Sequence, residues 1–191
     1  MLYVFLFLIT FFIGSIPFSY LLGKIFFKVD IRDFGKDRNP GPTNSFRAVG
    51  FKLGFPSLLF EYLKGVLPLS FIFSKYNLPF IPSVLIAIAP VLGHMFTPFL
   101  RFKGGKGVTT TFGIWSALTL WEVPTFLGGI FTLFVFLRKF YKEKITDKMI
   151  VVISTILLVV FVSIKYSDLR LTSVAVINSI LLLFGQYRDN F

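Results

Sequence analysis

The stretch "MIVVISTILLVVFVSIKYSDLRLTSVAVINSILLLF" (residues 149–184) is apolar almost throughout, and it decides the class of this protein. As a single helix its 36 residues would be about 54 Å long, whereas the hydrocarbon core of a bilayer is about 30 Å thick. The polar segment "KYSDLR" (165–170) lies near its middle. The stretch therefore predicts two membrane-spanning helices joined by a short turn.

The rest of the chain has the same character. Hydrophobic residues make up 55% of the 191 positions and 27 residues are Phe, which is more apolar surface than one soluble core of this size could bury. We expect a single membrane-embedded domain over residues 1–191, an all-α integral membrane bundle of about seven transmembrane helices joined by glycine-rich cytoplasmic loops. The predicted spans lie near residues 2–23, 53–73, 78–100, 108–121, 123–137, 149–164 and 171–184.

Two features of this assignment depend on local signals. The first apolar run has no Lys or Arg ahead of it and no evident cleavage site, so we expect it to be retained as a span. The fourth and fifth spans are separated at "WEVP" (121–124), which carries a Pro and an interfacial Trp. Without a turn there, the basic segment 138–148 would fall on the side opposite the other basic loops.

The distribution of charge predicts the orientation. Of the 20 Lys and Arg residues, 16 fall in segments 24–52, 101–107, 138–148 and 185–191 on one side, and three fall on the other. The positive-inside rule then places the N-terminus outside and the C-terminus and basic loops in the cytoplasm. Basic loops beside anionic lipid account for most of the net charge of +11, so no nucleic acid partner is expected.

The sequence contains no cysteine. Disulfides, thiolate nucleophiles and Cys-based metal sites are therefore excluded, and we expect no metal and no cofactor.

Two of the basic loops are rich in glycine. The first contains "DFGKDRNPGPTNSFRAVG" (33–50), which is dense in turn-forming residues and short polar side chains. In the second, "KGGKG" (103–107), glycines would let backbone N–H groups face one concavity while Lys103 and Lys106 add charge and the next helix begins at Val108. This arrangement suits a phosphate. The alternative is a simple basic turn, and the spacing of a Walker A loop is absent.

Three ionisable residues fall within predicted spans. Glu61 and Lys64 in "FEYLKG" are three residues apart on one helix face, where they can pair. Ionisable groups at such depth usually mark a site or a pathway, and the alternative is a neutralised pair that fixes helix packing. His94 is the sole histidine, and a structural role and a substrate-binding role are both open for it.

The motifs taken together carry a family likeness. "GSIPFSYLLGK" (14–24), "DIRDFGKDRNPGPTNSFRAVG" (30–50), "EYLKG" (61–65) and "GHMFTPFLRFKGGKGVTTTFG" (93–113), in this order, resemble the bacterial membrane-embedded acyl-phosphate:glycerol-3-phosphate acyltransferases. The resemblance implies transfer of a fatty acyl group from acyl phosphate, not acyl-CoA, to the 1-hydroxyl of glycerol 3-phosphate, giving lysophosphatidate for phospholipid synthesis. It also implies the bacterial cytoplasmic (inner) membrane, with the two substrates and membrane lipids as partners and no cofactor.

The resemblance further implies a set of site residues. Catalytic roles would fall on Asp37, Asn39, Arg47, Lys106 and Asn178, and substrate-binding roles on Thr43, Asn44, Glu61, Lys64, His94, Lys103, Gly104, Gly105, Gly107 and Thr109. The chain also departs from the family pattern. Asp37 stands where the family has serine and Arg38 where it has glycine, while Ala175, Leu181 and Tyr187 replace a histidine, an arginine and a glutamate. Asn178 and Gly185 match the family in spacing.

Three functions therefore compete. Acyl transfer rests on the retained loop motifs, with Asp37 expected to pair with Arg38 or Arg47, because Arg can engage a carboxylate through two parallel hydrogen bonds. A catalytically silent or altered-acceptor paralogue that binds phosphate-bearing lipid precursors is the alternative suggested by the lost residues. A transporter for an anionic solute would show polar residues along several spans and inverted repeats, which the sequence lacks.

Overall fold

The computed structural model describes residues 1–141 and 145–188, and within them nine α-helices and two short 3-10 helices, Ile31–Phe34 and Pro98–Leu100, form the fold. Lys142 and Lys144 of the predicted basic loop lie outside the described residues. The α-helices are α1 (Leu2–Ser15), α2 (Phe18–Phe26), α3 (Pro42–Val49), α4 (Phe51–Lys75), α5 (Phe80–Met95), α6 (Val108–Thr119), α7 (Glu122–Tyr141), α8 (Asp147–Tyr166) and α9 (Leu169–Tyr187).

The expected all-helical membrane bundle is confirmed, although the helices differ in how far they reach. Five of them, α4, α5 with its 3-10 extension, α7, α8 and α9, are long and apolar enough to cross a bilayer, and the bent α1–α2 pair adds a sixth if it is counted as one span. Helix α6 has 12 residues, so it is about 18 Å long against a hydrocarbon core of about 30 Å. The count of seven therefore describes seven helical segments and not seven full-length crossings.

The first predicted span, residues 2–23, is broken. Ile16 is extended (φ −61°, ψ 116°), and α1 and α2 meet there at 41°. Pro17 causes the break, because proline lacks a backbone N–H and disfavours the helical conformation of the residue before it. Backbone groups at the break lose their helical partners and must find others.

The predicted turns between the later spans are confirmed. Leu120, with φ 55°, ends α6 one residue before "WEVP". Ser167, with φ 49°, ends α8 within "KYSDLR", and the Asp168 carboxylate then caps α9 by accepting from the backbone N–H groups of Arg170 and Leu171. An N-cap aspartate both satisfies the first N–H groups and favours the positive end of the helix.

The prediction that residues 24–52 form only a loop is wrong. Residues Pro42–Val49 form α3, with Gly41 as N-cap and Pro42 at the first helical position. Proline fits there because its missing N–H is one that the first turn of a helix cannot pair internally. The sequence "NPGPTN", rich in turn residues, is therefore the start of a short helix that places the polar side chains of this motif.

Helix α5 lies at the centre of the bundle, against α1 on one side and α9 on another. Small residues allow the close crossings. A side chain on Gly93 would meet the backbone of Phe11 in α1, and a Cβ on Gly65 of α4 would lie 3.1 Å from the Cα of Gly113 in α6. Glycine at helix crossings is typical of membrane bundles, in which close van der Waals packing drives association. These crossings hold α4, α5 and α6 in the positions that build the site.

The outer surface of the helices is apolar, and the basic segments lie at one end of the bundle. Large hydrophobic side chains are exposed on most helices, among them Val4, Phe5, Leu67, Phe71, Leu133, Val135, Ile156, Val160 and Ile180. Such a surface suits contact with lipid. At one end, Lys106 pairs with Asp37, Arg188 donates to the carbonyl of Gly104, and Lys148 lies over the ring of Tyr187. These contacts bring all four basic segments to the same end.

Candidate active site at the two glycine-rich loops

The two glycine-rich loops meet at an ion pair. The ammonium of Lys106 lies 2.7 Å from Oδ2 of Asp37, and both side chains are partly exposed. The prediction that Arg38 or Arg47 pairs with Asp37 is wrong, because Arg38 lies 3.6 Å from Asp33 and Arg47 bonds to Asn44. Burial opposes ionisation of Asp37, but the hydrogen bond and charge of Lys106 outweigh it and lower the pKa of this carboxyl below its usual range.

Asn44, buried at the start of α3, organises the first loop. Its Nδ2 donates to the carbonyl oxygen of Asn39 at 2.8 Å and to Oδ1 of Asp37 at 3.4 Å, while its Oδ1 accepts from Arg47 at 2.9 Å. Gly35 leaves room for this amide, since a side chain at position 35 would collide with it. One amide therefore connects a carboxylate, the loop backbone and a guanidinium, and we name Asp37, Asn39, Asn44, Arg47 and Lys106 the Asp37–Lys106 site.

The second loop is bound to the end of α5. The backbone N–H groups of Gly104 and Gly105 donate to the carbonyls of Met95 and His94, at 3.1 and 3.2 Å. The expectation that these two N–H groups face an anion is therefore wrong. A Cβ on Gly104 would collide with the His94 carbonyl, so this glycine allows the loop to approach the helix. Gly107, at φ 85°, then turns the chain into α6.

Gly105 lies between two polar side chains. A Cβ at this position would collide with Nε2 of His94 and lie 3.2 Å from Oδ1 of Asn39. The Asn39 oxygen is buried and accepts no hydrogen bond from the described residues. A buried acceptor without a donor is costly, so the loop junction holds a position suited to a donor such as a hydroxyl group.

The predicted pairing of Glu61 with Lys64 is confirmed, at 2.5 Å in the interior of the bundle. Nδ1 of His94 lies 3.0 Å from Oε2 of Glu61 and 2.9 Å from the Lys64 ammonium. Lys64 also donates to the carbonyl of Ile16 at 2.9 Å, and Oε1 of Glu61 accepts from the N–H of Ser19 at 3.0 Å. The cation thus faces the C-terminal end of α1 and the carboxylate faces the N-terminal end of α2. Both placements are favourable, because the helix dipole is negative at its C-terminus and positive at its N-terminus. The contacts favour the packing role for this pair.

Arg188 is a further residue of the region that the sequence reasoning missed. Its guanidinium donates to the carbonyls of Met95 and Gly104, both at 3.1 Å, and lies over the rings of Phe96 and Phe184. Burial lowers its pKa. The only signal in the sequence is a basic residue directly after the last apolar run. Arg188 joins the end of α9, the end of α5 and the second glycine-rich loop.

Helix α9 contributes little polarity to the site. Asn178 is buried, and its amide is used within the bundle: Oδ1 accepts from the Trp115 indole and Nδ2 donates to the Thr111 hydroxyl, both at 3.0 Å. No contact between described residues joins Asn178 to the ion pair. Ala175 is fully buried in the core. Gly185 does reach the loop, because a Cβ there would lie 3.0 Å from the carbonyl oxygen of Lys106.

Three more predicted site residues lie beside this group. Thr43 is exposed on the first turn of α3, and Thr109 is half-buried on the first turn of α6. Lys103 lines a neighbouring pocket with Arg38. The structure thus brings together Asp37, Asn39, Asn44, Arg47 and Lys106 and leaves Thr43, Thr109 and Lys103 at its margins.

Residues 4–191 match a family described as Glycerol-3-phosphate acyltransferase. The chain belongs to this family. It is 43% identical over 129 residues to "Glycerol-3-phosphate acyltransferase 1" of Thermotoga maritima, a match that covers 66% of this chain and 63% of that protein. It is 35% identical over 176 residues to "Glycerol-3-phosphate acyltransferase" of Fusobacterium nucleatum, covering 92% of this chain and 86% of the relative.

Solved structures of the family share the fold. The crystal structure of PlsY (YgiH), an integral membrane glycerol 3-phosphate acyltransferase, in its glycerol 3-phosphate form is 27% identical with a TM-score of 0.81, over 97% of this chain and 88% of that one. The lysphosphatidic acid form gives 25% identity and a TM-score of 0.80, over 98% and 89%. This acyltransferase-family chain is therefore a multi-pass bacterial membrane protein.

Proposed function

We propose that the protein transfers a fatty acyl group from acyl phosphate to the 1-hydroxyl of glycerol 3-phosphate, giving lysophosphatidate for phospholipid synthesis. The observation that carries this proposal is the ion pair of Lys106 and Asp37, which joins the two basic glycine-rich loops at one end of the bundle. Membership of the glycerol-3-phosphate acyltransferase family supports the same reaction.

The charges of the site suit two phosphate-bearing substrates. Two phosphates brought within reacting distance repel each other, and only fixed cations and donors can offset that repulsion in a partly dry cleft. Lys106 and Arg47 supply the cations. Lys106 is paired with the acidic Asp37, and Arg47 donates to the neutral amide of Asn44. A substrate phosphate would compete with Asp37 for the Lys106 ammonium, leaving the carboxylate available to accept from a substrate hydroxyl.

The reaction itself needs little from the protein beyond positioning. The oxygen of the 1-hydroxyl attacks the acyl carbonyl carbon, the bond from that carbon to the phosphate oxygen breaks, and phosphate leaves with the hydroxyl proton on one of its oxygens. Acyl phosphate is an activated anhydride, so no Ser-His-Asp triad is required. Asp37, kept ionised by its lowered pKa, and the unpartnered Asn39 oxygen are the acceptors that would orient the glycerol hydroxyls.

The substitutions in α9 bear on the rate. Leu181 packs against the core where relatives would present an arginine, and Tyr187 is exposed where they would present a carboxylate. Fewer charged side chains are therefore available to stabilise the transition state. We expect the rate of acyl transfer to be lower than in relatives that keep the full motif. A silent paralogue that binds phosphate-bearing lipid precursors is the competing outcome.

One assay separates these functions. Product formation from acyl phosphate and labelled glycerol 3-phosphate is measured for the purified native protein, for Lys106→Ala and for Asp37→Ser combined with Leu181→Arg. We expect slow product from the native protein, on the order of 100-fold slower product from Lys106→Ala and faster product from the double variant. Product from the double variant alone would identify a silent paralogue, and no product from any folded protein would contradict acyl transfer.

We further propose the orientation predicted from charge, with the glycine-rich loops and the C-terminus in the cytoplasm and the N-terminus outside, in the bacterial inner membrane. The positive-inside rule and the meeting of all four basic segments at one end support it.

A further inference from the structure

A second basic cavity lies beside the Asp37–Lys106 site and shares none of its residues. It has a volume of about 540 Å³, and it is lined by residues of α2, the Ile31–Phe34 turn and both glycine-rich segments. The residues that matter for its chemistry are Tyr20, Arg32, Arg38, Phe99, Arg101 and Lys103. We call these residues the Arg101 pocket.

The pocket has a surplus of positive charge. Asp30 accepts two hydrogen bonds from Arg32, at 2.9 and 2.7 Å, and also pairs with Lys24 at 3.3 Å. The exposed Asp33 lies 3.6 Å from Arg38. The exposed guanidinium of Arg101 makes no ion pair or hydrogen bond with any residue that the structure describes. Four basic residues and no acidic residue line the cavity, and Arg32 and Arg38 are the two that pair with these nearby carboxylates.

The backbone presents these cations from unusual conformations. Arg38 has φ 47°, Arg101 has φ 53° and its neighbour Phe102 has φ 62°. Side chains other than glycine, asparagine and aspartate rarely adopt this left-handed region, and residues held there cluster at binding and catalytic sites. Two of the four basic residues of the pocket are thus held in conformations that side chains rarely adopt.

One rim of the pocket is apolar. Phe99, which lines the cavity, is 61% exposed, and Phe102, three residues further along the chain, is 63% exposed. Between the rim and the cations, the ring of Tyr20 lies under the Arg32 guanidinium at 4.8 Å. A free anion needs only the cations, whereas a ligand with a charged head and an apolar chain would use both parts of this surface.

We propose that the Arg101 pocket binds the phosphate-bearing headgroup of a membrane lipid, with an acyl chain along Phe99 and Phe102. Basic pockets between membrane helices bind phosphate headgroups in this way, and arginine engages phosphate oxygens through two parallel hydrogen bonds. The bulk anionic phospholipid of the membrane and a single-chain phosphate monoester such as lysophosphatidate share this chemistry. The proposal does not rest on acyl transfer, because a catalytically silent protein would bind the same headgroup.

The test compares two double variants of the full chain in detergent. Arg38→Ala with Arg101→Ala removes two pocket cations, and the matched control, Lys75→Ala with Arg170→Ala, removes two cations from the other end of the bundle. Binding of a fluorescent phosphatidylglycerol is titrated for each protein. We expect the pocket variant to bind about tenfold more weakly or worse, and the control within about twofold of the native protein. Arg101→Gln alone should show a smaller loss in the same direction, and it keeps the fold because this side chain has no partner among the described residues.

Competition identifies the source of the headgroup. Displacement of phosphatidylglycerol by lysophosphatidate at lower concentration assigns the pocket to a single-chain phosphate monoester, and failure to displace it assigns the pocket to bulk phospholipid. Three results would overturn the proposal: equal binding of phosphatidylcholine, displacement by inorganic phosphate as readily as by lipid, or the same loss in the control variant.

Discussion

Lys106 and Asp37 form a side-chain bridge between the two glycine-rich loops, an ion pair of 2.7 Å that lies where α3 and α6 begin. The pair is partly exposed, so its own contribution to stability is small. The pair matters by its position, because it brings a carboxylate and an ammonium to one point at the end of the bundle.

Removing the Lys106 ammonium should impair the reaction more than it impairs the fold. Lys106→Ala takes away a cation that meets substrate phosphate, and we expect kcat/KM for acyl transfer to fall on the order of 100-fold. Lys52→Ala is the matched control, since Lys52 is exposed at the start of α4 and its loss changes net charge equally. Equal rates for the Lys106→Ala and Lys52→Ala variants would show that Lys106 has no role in the reaction.

Gly105 should matter through space and not through charge. Gly105→Ala puts a methyl group into the His94 imidazole and against Asn39, so we expect lower stability and lower activity at unchanged net charge. Gly129→Ala is the control, because a Cβ on Gly129 meets nothing within 4 Å. The thermal midpoint and the turnover rate of both variants give the comparison. A Gly105→Ala protein as stable and active as the control would contradict the packing described.

The buried pair of Glu61 and Lys64 should show strong coupling. Lys64→Met leaves a carboxylate without its cation in the interior, and we expect a loss of about 3–5 kcal/mol in the free energy of unfolding. Adding Glu61→Gln should restore part of that loss, since the charge is then gone and the amide oxygen can still accept from Ser19. Unfolding in mixed detergent measures both. A double variant as unstable as Lys64→Met would show that the two side chains act separately.

Asp30 should make stability depend on pH in acid. Its hydrogen bonds from Arg32 outweigh the effect of burial and hold the pKa of this carboxyl well below the ordinary value of 3.8. A depressed pKa means that the contribution is complete above the unfolded value and is lost as pH falls through the folded one. The difference in unfolding free energy between native and Asp30→Asn should therefore be constant at neutral pH and shrink below about pH 4. A difference that grows in acid would contradict this sign.

The proposed orientation can be tested with single cysteines, because the chain has none of its own. Lys75→Cys and Ser167→Cys, at the end away from the glycine-rich loops, should react with an impermeant maleimide added to intact cells. Lys36→Cys should react only after the cells are opened. Labelling of Lys36→Cys from outside would reverse the orientation.

Much of the fold could be predicted from the sequence. The length of each apolar segment shows whether it can cross a bilayer, and the distribution of Lys and Arg predicts which loops share a side. The pairing of Glu61 with Lys64 was also predictable, since three-residue spacing on a helix fixes the distance between the side chains. Helix α3 was not, because Gly41 and Pro42 serve equally well in a turn and at a helix start. The distinction lies in the packing of α3 against α4 and the Ile31–Phe34 turn, which the sequence of the motif alone does not contain.

The sequence predicted which residues form the site better than it predicted which of them pair with one another. Asp37 and Lys106 could be identified, but the partner of Asp37 depends on which of several cations the loop brings near, and the sequence favoured Arg38 and Arg47. Likewise, Gly104 was expected to expose its N–H to an anion, whereas it donates to the end of α5. Arg188 was missed because its role arises from the closeness of α5 and α9 in space.

The break between α1 and α2 has a consequence for the order in which the protein is made. Pro17 leaves backbone groups of the first apolar segment without helical partners, and residues far along the chain replace them. Lys64 and Thr97 donate to the carbonyls of Ile16 and Ser15, and Glu61 accepts from the N–H of Ser19, 42 residues before it. During synthesis the first segment therefore enters the membrane with open carbonyl and amide groups, which water or the insertion machinery must satisfy until Glu61 and Lys64 arrive. The partners come from α4 and from the end of α5, so the first segment completes its hydrogen bonds only after both helices have been made.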